Sequence, residues 1–209
     1  MQAEFHDHPR CGIILQSQVW QNPRMTIFDR QAGKVCVRMT EKPHRCNWST
    51  GSILQYTLRK KARIHDLENA VLCEQPLVAC YDDILFVHHV LEILWAFLPD
   101  DDPHPDVYDW YIQLYQPDYR AMTYAQKIAW LCALFFKLGI YPPPTGSLYT
   151  FSYLVSLISR GQLSNVSDKS EGALEHLVVW LRQCLETHPA EYRFKTNHFL
   201  HKARDNDRD

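Results

Sequence analysis

Basic side chains are concentrated in the first third of the chain, where their type and spacing suit the binding of phosphate groups. Ten Lys and Arg residues fall between positions 24 and 63. They are Arg24, Arg30, Lys34, Arg38, Lys42, Arg45, Arg59, Lys60, Lys61 and Arg63. Because each neutralised phosphate releases condensed counterions, binding by such residues weakens steeply as salt rises.

Four aromatic residues are interleaved with these cations, and two interpretations of them are open. They are Trp20, Phe28, Trp48 and Tyr56. Exposed rings would be platforms on which bases stack, and a cationic groove with such platforms is what sequence-tolerant single-strand binding needs. Buried rings would belong to the core instead, an interpretation that we favour for Phe28 and Tyr56. The run LRKKAR is by itself also typical of a solvated turn.

A β-hairpin must position the first four cations. In QNPRMTIFDRQAGKVCVRM, apolar and polar residues alternate with the period of half-buried strands over Arg24–Phe28 and Lys34–Met39. Gly33 suits the left-handed position in a hairpin loop of this length. The outer face of the hairpin is then basic, either as an ordinary solvated face or as a surface for a phosphate backbone.

Short strands surround the hairpin, and helical spacing replaces them after residue 77. Cys11–Val19 and the alternating segment SILQYTLRKKARIHDLENAVL complete a five-stranded barrel that matches an OB-fold. Thr123 and Gln126 form a capping-box pattern before a helix. The predicted helices cover residues 84–98, 106–115, 124–138, 147–159 and 172–187. The sequence thus predicts an α+β two-domain protein, with an OB-fold barrel over 1–76 and an all-α helical domain over 77–209.

Charge is distributed unevenly between these regions. Residues 1–72 carry a formal charge of +5, residues 73–125 carry −9 and residues 126–209 carry +2. A basic N-terminal region joined to an acidic central region indicates that the N-terminal region has an anionic partner. No apolar run approaches the roughly 20 residues that a membrane span needs, so we expect a cytosolic protein without a membrane partner.

Cysteine and histidine patterns do not predict a metal site or an active site. The seven cysteines include no CxxC pair and lie mostly among apolar neighbours, which predicts reduced, mostly buried thiols. Cys73, Cys80, His88 and His89 match no common zinc spacing. There is no GxSxG, P-loop or HExxH motif either. We expect no cofactor and no enzymatic activity; the alternative is a Cys–His nucleophile pair whose members meet only in the fold.

The order of these features resembles the RecO family of recombination mediator proteins, which have an N-terminal OB-fold followed by a helical domain. The resemblance runs through nearly the whole chain, and its individual motifs are degenerate. The stretches that carry it are GIILQSQVW, MTIFDRQAGKVCVRM, SILQYTLRKKARIHDLENAVL, DDILFVHHVLEILWAFLPDDDPHPDVYDWYIQLY, FFKLGIYPPP and LRQCLETHPAEYRFKTNHFL.

One departure from the family concerns zinc. Many members have a four-cysteine zinc site after the segment that FFKLGIYPPP resembles, whereas no cysteine lies between Cys132 and Cys184 here. The resemblance therefore implies that the zinc module is lost. Zinc sites can supply folding energy, and apolar packing would substitute for it here. The residues expected to pack there are Leu148, Phe151, Tyr153 and Leu154.

The resemblance implies a protein that binds single- and double-stranded DNA, anneals complementary strands and helps to load the RecA recombinase. It also implies RecR and the acidic C-terminal tail of single-strand-binding protein as partners, and a cytoplasmic, nucleoid-associated location. The ten basic residues would contact the DNA backbone, and Arg193 and Lys195 would extend the path. Lys127, Phe136 and Lys137 would form a dock for an acidic-apolar peptide tail.

A second hypothesis from another class is a non-catalytic interaction adaptor whose barrel binds protein and not DNA. The acidic middle of the chain would then be the partner surface. Binding would follow apolar contacts and would depend only weakly on salt.

Overall fold

The computed structural model forms two compact units, Met1–Gln116 and Pro117–Asp209. The residues that the structure describes are 9–18, 24–40, 48–59, 61, 64–76, 84–116, 122–140 and 171–186.

Five strands of the first unit form a closed, OB-like barrel in the order β1-β2-β3-β5-β4. Neighbouring strands are antiparallel except β3 and β5, which run parallel. The predicted hairpin, β2 with β3, and the predicted five-stranded barrel are confirmed. The strands are β1 Arg10–Gln18, β2 Arg24–Asp29, β3 Gly33–Met39, β4 Ile53–Arg59 and β5 His65–Glu74.

Alternation of apolar residues closes the barrel around one core, because successive side chains of a strand point to opposite faces. On β2, Met25 and Ile27 are buried inside while Arg24 is exposed. On β3, Val35 and Val37 are likewise buried inside the barrel. The core cluster consists of Ile14, Met25, Ile27, Val35, Val37, Leu54, Tyr56, Leu58 and Leu67.

A buried carboxylate holds the turn between β2 and β3. Asp29 accepts the backbone N–H groups of Gln31 and Ala32 at 2.7 Å, and the Tyr56 hydroxyl donates to it at 2.6 Å. The Arg10 guanidinium lies 3.7 Å from the same carboxylate. Burial, with the neighbouring carboxylate, raises the pKa of Tyr56 well above its usual range, so the hydroxyl stays a donor.

Two described helices belong to the barrel unit. They are α1 Ile84–Phe97 and α2 Pro105–Ile112, and a 3₁₀ turn Gln113–Tyr115 follows α2. The predicted helices at 84–98 and 106–115 are therefore confirmed in place. Helix α1 follows the change of period after residue 77, whereas the division into compact units falls after Gln116.

His89 on α1 should make folding sensitive to mild acid. Burial lowers its pKa from 6.5 to about 4, against a smaller opposing effect of Glu92. Between these two values the unfolded chain takes up a proton that the folded chain does not, so stability falls as pH drops below 6.5. At pH 5 the loss from this group should be about 2 kcal/mol.

Urea denaturation at pH 7 and pH 5 checks this expectation. The substitution His89→Gln should flatten the pH dependence, although it lowers stability at pH 7. His88→Gln is the matched control, because His88 is the adjacent, only partly buried residue, and it should leave the dependence intact. Equal pH profiles for the wild type and His89→Gln would show that this histidine does not carry the effect.

The second unit contains two described helices, α3 Tyr124–Lys137 and α4 Glu171–Glu186. The predicted capping box begins α3: Gln126 N–H donates to the Thr123 hydroxyl, and the Gln126 amide oxygen accepts the Thr123 N–H at 2.7 Å. The predicted helix at 147–159 lies outside the described residues. None of the described helices is long and apolar enough to cross a membrane.

The prediction for the cysteines is correct in part. All five in the described part of the chain are free thiols, but only Cys132 and Cys184 are buried. Burial raises the pKa of Cys184 to about 12, so its thiol stays protonated. Cys11 and Cys73 are exposed. Strand β1 turns the Cys11 side chain away from the core, whereas Cys73 follows two other exposed residues near the end of β5.

Candidate nucleic-acid interface

One row of paired residues crosses four adjacent strands and brings together basic residues that are far apart in the sequence. Arg24 on β2 pairs with Arg38 on β3, and Arg38 pairs with Asp66 on β5. Asp66 in turn pairs with Arg59 on β4. Since neighbouring strands lie about 4.8 Å apart, the row extends over about 15 Å. We call Arg24, Arg38, Arg59 and the adjacent Lys61 the cationic row.

Asp66 anchors two members of the cationic row. One carboxylate oxygen accepts the Arg38 guanidinium at 2.9 Å, and the other pairs with the Lys61 ammonium. The Asp66 side chain is only 5% exposed, whereas those of Arg38 and Lys61 are about half exposed. Hydrogen bonds from Lys61 and Arg38 lower the pKa of Asp66, so it is ionised at neutral pH. Arg38 and Lys61 are thus held in place by a buried carboxylate. Each has further N–H donors that can bind an anion.

The loop between β4 and β5 is tied to the same place. The Lys61 N–H donates to Nδ1 of His65 at 3.1 Å, which leaves the proton of a neutral imidazole on Nε2. That nitrogen lies 3.6 Å from the Asp101 carboxylate. The backbone and the side chain of Lys61 are therefore both bonded to the start of β5, which orients this part of the cationic row.

Arg30 and Lys34, at the turn end of the hairpin, are already paired with carboxylates of the barrel unit. Arg30 donates two hydrogen bonds of 2.8 Å to Asp109 on α2, and this lowers the pKa of Asp109. Lys34 donates to the Trp95 carbonyl at 3.0 Å and lies 3.1 Å from Asp100. The hairpin therefore carries two kinds of cation. Arg24 and Arg38 belong to the cationic row, whereas Arg30 and Lys34 pair with the acidic segment, residues 100–109, which follows α1 and includes the start of α2.

The sequence left open whether the aromatic residues of the barrel are exposed for stacking or buried in the core. Phe28 and Tyr56 are buried. Phe28 is covered by Tyr108 of α2, with ring centroids 5.6 Å apart in an edge-to-face arrangement. Trp48 is partly buried against the barrel core, and Trp20 lies outside the described residues. The described barrel therefore offers charge at the cationic row, without Phe28 or Tyr56 as stacking platforms.

No family model matches this chain, and no curated protein matches it significantly. The function must therefore be argued from the residues and their geometry.

Several predicted contact residues lie outside the described part of the chain. They are Lys42, Arg45, Lys60, Arg63, Arg193 and Lys195.

On α3, Phe136 is 44% exposed. It is nine positions after Lys127, about two and a half turns, so the two residues lie on opposite sides of the helix. Lys137 is adjacent to Phe136, and the structure thus brings together only these two members of the predicted dock.

Two features of the site were not predicted from the sequence. Asp66 reads there as one acidic residue in a basic segment, and only the parallel pairing of β3 with β5 places it beside Arg38, 28 positions away. The ion pairs of Arg30 and Lys34 also join distant segments. The surplus of aspartate over 100–109 was the one signal that could have indicated them. Within the described residues, no cluster of His, Cys, Asp or Glu suits a metal ion.

Proposed function

We propose that this chain is a RecO-like recombination mediator, a non-enzymatic protein that binds and anneals single-stranded DNA and assists the loading of RecA. The observation that supports this most is the cationic row at one end of a closed, OB-like barrel. The charge distribution and the order of sequence features are consistent with it. The anneal-and-load activity and a nucleoid-associated location in the cytoplasm rest on the resemblance to the family.

The position of the cationic row agrees with how OB-folds bind. Such barrels bind oligonucleotides on the face of strands 2 and 3 and with the loops that join strands 1–2 and 4–5. Arg24 and Arg38 lie on β2 and β3, and Lys61 lies in the loop between β4 and β5. Arg59 ends β4 next to that loop. A DNA backbone that crosses the strands along this row would meet each cation in turn.

The contacts proposed for this site are mainly with phosphates. Contacts of that kind position a nucleic acid without reading its sequence. The family resemblance adds double-stranded DNA, RecR and the tail of single-strand-binding protein as proposed partners. For the tail, Phe136 and Lys137 are the neighbouring pair on α3 that remains a candidate.

Fluorescence anisotropy with a labelled single strand tests the proposal. If three or four phosphates are neutralised, the logarithm of the association constant should fall with the logarithm of salt concentration with a slope of about −2 to −3. A duplex of the same sequence is the comparison ligand. No binding at low salt would contradict the proposal and would favour the adaptor hypothesis, in which the barrel binds protein.

A further inference from the structure

Within the part of the chain that the structure describes, the second half of β5 has one unpaired edge, which we call the free edge. β4 pairs along one side of β5 as far as Glu74, but β3 pairs along the other side only over His65–Leu67. Among the described residues, none pairs with that other side from Glu68 to Glu74. Unpaired N–H and C=O groups on such an edge can accept an added strand from another chain.

The side chains of this segment are unusually exposed for a barrel strand. Val71 is 60% exposed, Leu72 is 36% exposed, and Cys73 is exposed as well. Since barrel residues alternate between inside and outside, three exposed residues in succession show that this end of β5 projects from the barrel. Register irregularities in the pairing with β4 lie on both sides of Val71 and Leu72, and bulges of this kind bend a strand.

Charge decides which occupant fits this edge. If a second copy paired its own β5 antiparallel about Val71, Glu68 of each copy would lie opposite Glu74 of the other. Like charges directly opposite one another destabilise a strand pair, whereas opposite charges stabilise it. Glu68 also lies 4.0 Å from the exposed Arg59 guanidinium of β4, so an added strand would share this carboxylate, whereas no ion pair of Glu74 is seen within the described residues. A strand with basic residues in those two places would be complementary, and an acidic tail would be repelled.

We propose that the free edge of β5 over Glu68–Glu74 is a docking site for an extended segment of a partner protein that has an apolar centre flanked by lysine or arginine. The apolar centre would cover Val71 and Leu72, and the basic flanks would meet Glu68 and Glu74. The cationic row lies at the start of β5 and this edge at its end. A nucleic acid and a protein could therefore be held by the same barrel at the same time.

A pair of short synthetic peptides tests this inference. Each has three central valines, and the residue two positions from the middle valine on either side is lysine in one peptide and glutamate in the other. This spacing follows β4, where Thr57, Gln55 and Ile53 pair with Glu68, Val71 and Glu74. Binding is followed by two-dimensional amide NMR of the full chain. The lysine peptide should shift the amides of 68–74, slow their hydrogen exchange, and bind about tenfold more tightly than the glutamate peptide, since two charge pairs change sign.

Two variants locate the binding. Val71→Lys should abolish binding of the lysine peptide, because it removes the apolar contact and adds a like charge. Leu85→Lys is the matched control, since Leu85 is similarly exposed, at 66% against 60% for Val71, but lies on α1. This variant should bind like the wild type. Equal affinity for both peptides, no binding of either, shifts outside 68–74, or self-association through β5 would each overturn the proposal. None of these outcomes depends on whether the chain binds DNA.

Discussion

Arg24→Glu should weaken the binding of single-stranded DNA about 25-fold at ~0.1 M salt, because two phosphate contacts of about fivefold each would be lost. The first loss is that of Arg24 itself. The second is that of Arg38, its direct cross-strand partner, which the new carboxylate would neutralise. The slope of the logarithm of affinity against that of salt should become shallower by about 1.4.

The same substitution should leave the fold intact or stabilise it. Arg24 and Arg38 are like charges directly opposite each other on β2 and β3, a pairing that costs stability. Replacing one by an acid should raise the free energy of unfolding by about 0.2–1 kcal/mol. Weaker binding together with higher stability is the expected signature of a residue that serves binding, and urea denaturation beside the anisotropy titration measures both.

Arg30→Glu is the matched control, because it makes the same change on the same hairpin. Arg30 is paired with Asp109, so this substitution should lower stability and change DNA affinity little. If Arg30→Glu weakens binding as much as Arg24→Glu, the compensated end of the hairpin binds DNA too, and the assignment to the cationic row is wrong. Lys34 is a poorer choice, because its side chain is only 14% exposed and is bonded to the barrel unit's own residues.

Local patterns predicted the elements of this fold well because their causes are local. The alternation of Met25 and Ile27 with polar residues reflects one buried face of β2, and Thr123 with Gln126 caps α3 through contacts three residues apart. Helix and strand periods need only neighbouring residues, so the sequence contains them directly. The strands and helices in the described part of the chain accordingly lie within a few residues of their predicted positions.

Long-range pairing is what local patterns do not contain. The alternation puts Phe28 on the outer face with Arg24, yet Phe28 is buried because Tyr108 packs over it from α2. Equally, nothing near Arg38 indicates that Asp66 will lie beside it. The candidate site was therefore predicted as a set of basic residues, whereas its division into a cationic row and a compensated end required the register of the strands.

Gly33→Ala should lower the free energy of unfolding by about 3–4 kcal/mol, which is among the largest effects of a single substitution. Gly33 has a φ of +80°, a left-handed conformation that costs other residues about 1–2 kcal/mol. A Cβ there would also overlap the backbone of Asp102. The segment would have to move away from β3, which would break the hydrogen bond from Asp101 N–H to the Lys34 carbonyl and the Lys34–Asp100 ion pair.

Gly139→Ala separates the cost of the left-handed backbone conformation from the cost of overlap with Asp102. Gly139 has a similar φ of +71°, but no atom lies within 4 Å of where its Cβ would be, so only the conformational cost of about 1 kcal/mol should appear. Urea denaturation of both variants measures the difference. An equal decrease in the free energy of unfolding for both variants would mean that the acidic segment can be displaced from β3 without loss of stability. Its contacts would then not stabilise the hairpin. A clearly larger loss for Gly33→Ala would show that close packing of this segment on β3 stabilises the hairpin turn and keeps Lys34 paired.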